Sequence, residues 1–123
     1  MEHTISQAEL VIMKMLWAQS PLSAVQINEQ IRDQNWRMAT VKTLINRLLK
    51  KGFISYEQQG RTYYYQPVIE KSAYLEAQNE SFLNDLYDGR LSDMLAAFTQ
   101  QERLSSKEIE ELKNIIDDME HSS

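Results

Sequence analysis

The sequence predicts a mainly α chain carrying one small β-hairpin. Three observations carry that expectation: helix-start signatures repeat along the chain, apolar residues recur at helical spacing through most of it, and only one stretch alternates as strands do. Composition agrees, because 3 Gly and 2 Pro in 123 residues are too few turn formers for a sandwich or barrel of many short strands. A hydrophobic share of 42% is likewise too high for a disordered chain. The length allows one or two small domains.

Three helix starts use one device, a Ser whose hydroxyl caps the third following amide while a Glu or Gln there reaches back. They are Ser6 with Glu9, Ser23 with Gln26 and Ser105 with Glu108. Each is flanked by an apolar staple: Ile5 with Leu10, Leu22 with Ile27, Leu104 with Ile109. Pro21 separates the first two helices, since its ring disfavours helix at Ser20 and it has no amide hydrogen to donate.

A third helix is predicted over 38–51, where Val41, Leu44, Ile45, Leu48 and Leu49 fall at i, i+3, i+4, i+7 and i+8. That stripe turns Ala39, Thr43, Asn46, Arg47 and Lys50 to the opposite face, with Thr40 and Lys42 on its flanks. Gly52 ends the helix, and 53–57 and 62–66 follow as strands around Gln58-Gln59-Gly60-Arg61, closed by Pro67. Tyr63 and Tyr65 share one strand face and are expected to pack on the helices, and Trp17 and Trp36 are expected as core anchors. Beyond Glu70 the pattern returns to helix. A long one carries Tyr74, Leu75, Phe82, Leu83 and Leu86 and ends before Asp88-Gly89; a second spans about 92–100 with Met94, Leu95 and Phe98. The last, from 105 to about 119, has Ile109, Leu112, Ile115, Ile116 and Met119 along one side.

The net charge of −5 hides an asymmetry. Residues 1–67 carry eight basic and five acidic side chains, net +3, whereas residues 68–123 carry five and thirteen, net −8. Between Trp36 and Lys51 there are five basic residues and no acid. A local positive field in an acidic protein points to a nucleic-acid surface, and the division suggests two jobs, with a domain boundary expected between 1–69 and 70–123.

Three helices followed by a hairpin, with positive charge on the third helix and at the hairpin tip, is the order of a winged helix-turn-helix. The fold class expected is therefore a winged helix-turn-helix DNA-binding domain followed by a helical dimerisation domain. On that fold the third helix enters the major groove of double-stranded DNA, where Arg binds guanine, Asn binds adenine, and Thr offers a hydroxyl and a methyl. Thr40, Lys42, Thr43, Asn46 and Arg47 supply this chemistry, with Ala39 beside them, while Arg37, Lys50 and Arg61 stand where phosphate or minor groove would be met. Against this stand the solvated face of an ordinary amphipathic helix, a winged-helix module that binds another protein, and a non-specific binder of nucleic acid that stacks bases on Tyr63-Tyr64-Tyr65. An enzyme is not expected: the chain has no Gly-rich phosphate loop, no nucleophile elbow and no Cys, and its two histidines, His3 and His121, lie at opposite ends. No catalytic residue, cofactor or metal site is expected. No apolar run approaches the length of a membrane span and the start lacks a secretion signal, so a cytoplasmic protein is expected.

The run Trp36-Arg37-Met38-Ala39-Thr40-Val41-Lys42-Thr43-Leu44-Ile45-Asn46-Arg47-Leu48, followed by Lys50-Lys51-Gly52, resembles the recognition segment of the BlaI/MecI/CopY family of penicillinase and copper-responsive repressors. Ile5 to Glu9 and Met13 to Trp17 are similar to its first helix, Tyr63-Tyr64-Tyr65 to its wing, and Ser105 to Ile115 to its last helix, so the likeness covers nearly the whole chain. The resemblance implies a homodimeric repressor on a two-fold symmetric operator, with Thr40, Lys42, Thr43 and Arg47 at positions that contact DNA. It also implies that the C-terminal helices of two subunits interlock. The dimer contact would then use Phe82, Leu86, Ile109, Leu112, Ile115, Ile116 and Met119, apolar side chains too numerous for one chain to cover. Asn46 stands where relatives carry Thr or Gly, and Met38 and Ala39 depart from the Pro and Lys of the penicillinase branch. The copper branch senses through C-terminal cysteines, which this chain lacks, and the penicillinase branch is cleaved at an Asn-Phe bond, for which Ala97-Phe98 stands here.

Overall fold

A computed structural model describes residues 4–31 and 34–121; His3, Arg32 and Asp33 lie outside them. The chain order is α1 (Gln7–Ala18), β1 (Leu22–Ser23), α2 (Ala24–Gln30), α3 (Met38–Lys51), β2 (Ile54–Gln59), β3 (Thr62–Pro67), α4 (Lys71–Tyr87), α5 (Leu91–Gln100) and α6 (Ser106–His121). It divides into two compact units, 1–75 and 76–123.

All three capping signatures form. The Ser6 hydroxyl accepts from the Glu9 amide at 3.1 Å and the Glu9 carboxylate accepts from the Ser6 amide at 2.8 Å. Ser23 with Gln26 and Ser105 with Glu108 close in the same way. The helix α3 stops at Gly52, whose φ of 83° is the left-handed conformation that glycine adopts without strain.

The sheet differs from the expected two-stranded hairpin. Leu22 and Ser23 form a third strand, pairing antiparallel with Tyr65 and Tyr64, so the order is β1-β3-β2. Two residues before a capped helix carry no alternation, so only pairing with a distant strand makes them a strand. The hairpin is also longer than expected, because β2 and β3 pair from Ile54 with Pro67 out to Gln59 with Thr62, leaving Gly60-Arg61 as a two-residue loop. Such a loop needs a left-handed residue, which Gly60 supplies at φ 64°.

The first unit closes over one core. Ile12, Met13 and Leu16 of α1, Ile27 of α2, Val41, Leu44, Ile45 and Leu48 of α3, and Leu22, Ile54 and Tyr65 of the sheet are buried together. Trp17 and Trp36 pack against them half-buried, and the Trp17 indole donates to the Ile69 carbonyl at 2.9 Å and lies 5.6 Å from the Tyr74 ring. Of the tyrosines expected on the helices, only Tyr65 is buried. Tyr63 shares its face but lies nearer the tip, beyond the reach of the core, and is exposed. In the second unit α5 and α6 bury no residue, and their apolar side chains are half-buried or exposed.

Among the described residues, one charged side chain belongs to the core. Glu9 is fully buried, and its Oε1 accepts from Lys51 Nζ at 2.7 Å as well as from Ser6. Burial pushes its carboxyl up, but hydrogen bonds from Lys51 and Ser6 and the charge of Lys51 outweigh that and hold it below the ordinary 4.5. A carboxyl depressed on folding contributes stability that is present above 4.5 and lost as pH falls through its lower folded value. Urea denaturation as a function of pH should therefore show the gap in stability between the parent and Glu9→Gln narrowing as pH drops below 4.5, whereas a gap independent of pH would contradict the ion pair.

Candidate nucleic-acid interface

The packing of α3 determines what it displays. With Val41, Leu44, Ile45 and Leu48 turned into the core, the expected contact residues Ala39, Thr40, Lys42, Thr43, Asn46, Arg47 and Lys50 are all exposed. Arg37 is the N-cap of α3 and is exposed without capping the helix through its side chain. No acidic side chain among the described residues pairs with Arg37, Lys42, Arg47, Lys50 or Arg61. Their positive charge is therefore directed to solvent and available to an anion. Thr43 departs in one detail from the expected chemistry. Its hydroxyl donates to the Ala39 carbonyl at 3.0 Å, so towards a ligand it presents a methyl and an acceptor oxygen and no free donor.

The hairpin brings Arg61 near the same helix. Gln58 donates to the Gly60 carbonyl at 3.1 Å, bracing the tip, and the Tyr56 and Tyr63 rings stack with centroids 4.6 Å apart and planes 13° apart. Tyr56 also approaches Tyr65 at 6.3 Å. Burial, followed by its neighbours Tyr63 and Tyr56, pushes the Tyr65 hydroxyl above its ordinary 10.0, so it remains neutral. Arg61, Tyr63 and Tyr65 of the hairpin line an open cleft of about 290 Å³ together with Lys42, Ser23 and Val25. Sequence reasoning misses this cleft, because its lining comes from segments distant in sequence, 23–25, Lys42 and the hairpin.

The expected dimer residues stand as follows. Phe82 and Leu86 of α4 and Ile109, Ile115, Ile116 and Met119 of α6 are exposed, and Leu112 is half-buried. Phe82 also lines an apolar cleft of about 270 Å³ with Leu83, Leu91 and Met94. Among the described residues there is no cluster of His, Cys, Asp and Glu that could hold a metal ion, and no helix is long and apolar enough to cross a membrane.

The profile of the penicillinase repressor family matches residues 5–118. The chain belongs to that family. It is 36% identical over 115 residues to the penicillinase repressor of Bacillus licheniformis, covering 93% of this chain and 90% of that one. It is also 36% identical over 115 residues to the methicillin resistance regulatory protein MecI of Mammaliicoccus sciuri, covering 93% and 94%. Among solved structures, the DNA-binding domain of the repressor BlaI superposes with a TM-score of 0.53 at 33% identity, over 58% of this chain and 89% of that domain. Members of the penicillinase repressor family are transcriptional repressors and not enzymes, and this chain is a winged-helix transcriptional repressor.

Lys50 at the end of α3 and Arg61 at the hairpin tip carry exposed, unpaired charge away from the centre of the helix face. Replacing either with Ala should weaken binding to any duplex equally and reduce the slope of log affinity against log salt by about one for each phosphate left without its cation. Fluorescence anisotropy titrations at several salt concentrations would check this, and parent-like slopes would contradict it.

Proposed function

We propose that this repressor acts as a homodimer on a two-fold symmetric DNA operator, each subunit laying α3 in the major groove with its hairpin against the adjoining backbone. The observation that carries the reading is the division of α3 into a buried apolar stripe and an exposed face of Thr40, Thr43, Asn46 and Arg47 flanked by unpaired cations. Arg47 and Asn46 are the base readers, since each can make two hydrogen bonds to a purine edge, and Thr43 meets a base through its methyl and acceptor oxygen. Ala39 and Thr40, in the first turn, approach the bases closely because neither side chain is large. Arg37, Lys42, Lys50 and Arg61 neutralise phosphates, and Lys42 and Arg61 line one cleft. In this reading the protein works in the cytoplasm, where its operator lies.

The dimer is supported by exposed apolar side chains in the second unit. Leu86 at 63% and Met119 at 67% exposure, with Phe82, Ile109, Ile115 and Ile116 also open, form more apolar surface than a short helical segment leaves in water without a partner. A second copy of the chain supplies matching surface, and two-fold symmetry gives each half-site one recognition helix.

Two experiments test this reading, using a duplex that the parent protein enriches from a random-sequence pool. Arg47→Ala and Thr43→Ala should each weaken binding to that duplex by about 1 to 3 kcal/mol while leaving the circular dichroism spectrum unchanged. Parent-like mobility-shift titrations for both would exclude groove reading by this face. Replacing Leu112 and Ile116 together with Asp should convert a sedimenting dimer to monomers and remove most of the affinity, with the first unit still folded, because charges in a dry contact cost several kcal/mol and unlinked half-site binding is weak. A double variant that remained dimeric would contradict the role of α6.

A further inference from the structure

Of the five basic residues between 36 and 51, only Lys51 is turned inward. Its Nζ donates to Glu9 Oε1 at 2.7 Å and to the Thr4 carbonyl at 3.0 Å, tying the end of α3 to the start of α1 across 42 positions of sequence. The charge on Glu9 is not needed for capping. At the start of α2 the same box is closed by Gln26, whose side-chain oxygen accepts from the Ser23 amide at 2.8 Å. A glutamine at position 9 would cap α1 equally well without the cost of burying a carboxylate, so it is Lys51 that gives the carboxylate a purpose.

The apolar stripe sets which face of α3 points outward, but apolar contacts are non-directional and tolerate small slides and tilts of a helix against its neighbours. A short, charge-assisted hydrogen bond at the helix end is directional and tolerates neither. We propose that the pair between buried Glu9 and half-buried Lys51 fixes the axial position and tilt of α3 against α1, making both positioning residues for discrimination between DNA sequences, and that Lys51 is not itself a DNA contact. The inference rests on the reading of α3 as the helix that enters the groove.

The test compares affinity for the duplex enriched from a random-sequence pool with affinity for unselected duplex of equal length. Glu9→Gln combined with Lys51→Met removes the pair without changing net charge and keeps the cap, so the double variant should fold. Its preference for the enriched duplex should fall about tenfold, the order of one misaligned base reader, with affinity for unselected duplex and the salt slope unchanged. Lys51→Arg preserves the ion pair and should stay within about twofold of the parent preference. A folded double variant with parent-like preference would overturn the proposal and leave the pair a purely stabilising one. Equal losses on both duplexes with a shallower salt slope would also overturn it, because Lys51 would then touch phosphate. Should the double variant not fold, Glu9→Gln alone gives the deciding ratio, which again should be lowered. A parent protein that does not distinguish the two duplexes would overturn the groove reading itself, and that result requires no variant.

Discussion

The burial of Val41, Leu44, Ile45 and Leu48 against α1, α2 and the sheet fixes the rotation of α3 about its own axis, and the presented chemistry follows from that rotation. Successive residues on a helix are separated by about 100°, so a turn of α3 by one residue would expose three of these four side chains and bury either Thr43 with Arg47 or Lys42 with Asn46 in their place. Each exposed aliphatic side chain would lose about 1.5 to 3 kcal/mol, and a buried unpaired guanidinium would cost more. No alternative rotation competes, so the outward face is as well defined as the core. The capping boxes at Ser6 and Ser23 and the left-handed stop at Gly52 then set where the packed helices begin and end.

Most of this organisation can be read from local signals, because helix caps, apolar periodicity and glycine stops act over a few residues. The bounds of α3 follow directly from its stripe and from Gly52, and the exposure of Thr40, Asn46 and Arg47 follows from the same periodicity. What local signals do not carry is pairing between distant segments. The strand β1 exists only because Tyr64 and Tyr65 lie alongside Leu22 and Ser23, and the cleft lined by both Lys42 and Arg61 forms only where 23–25, α3 and the hairpin come together. Tyr63 shows the same limit: alternation gives its face, but how far along the strand the core extends is a tertiary property.

In Lys51 one signal conceals another. Counted by charge, it joins the basic run from Arg37 onward. Counted by position, it continues the series Val41, Leu44, Leu48 at i+3 spacing from the last, and so lies on the buried face. Lysine can occupy such a place when its stem packs and its ammonium finds a carboxylate, and Glu9 at the third position of α1 is that carboxylate. Two residues that look superfluous in their own elements account for each other.

The split of charge between the halves of the chain bears on how a repressor with net charge −5 can bind DNA at all. Exposed charges act over roughly a Debye length, about 8 Å at physiological salt, so on the proposed reading a duplex responds to the cations of α3 and the hairpin and not to the net charge of the whole molecule. The acidic residues from Glu76 onward act in the opposite sense, since wherever that unit meets nucleic acid it repels it, which disfavours binding in any pose other than one led by α3. On the proposed dimer the same division has a further effect. With few cations per subunit, a single half-site is held weakly, and tight binding requires both subunits on one duplex, so occupancy depends on the apolar contact that joins them as much as on the residues that touch bases. A signal that loosens that contact would therefore release DNA without altering any residue of α3.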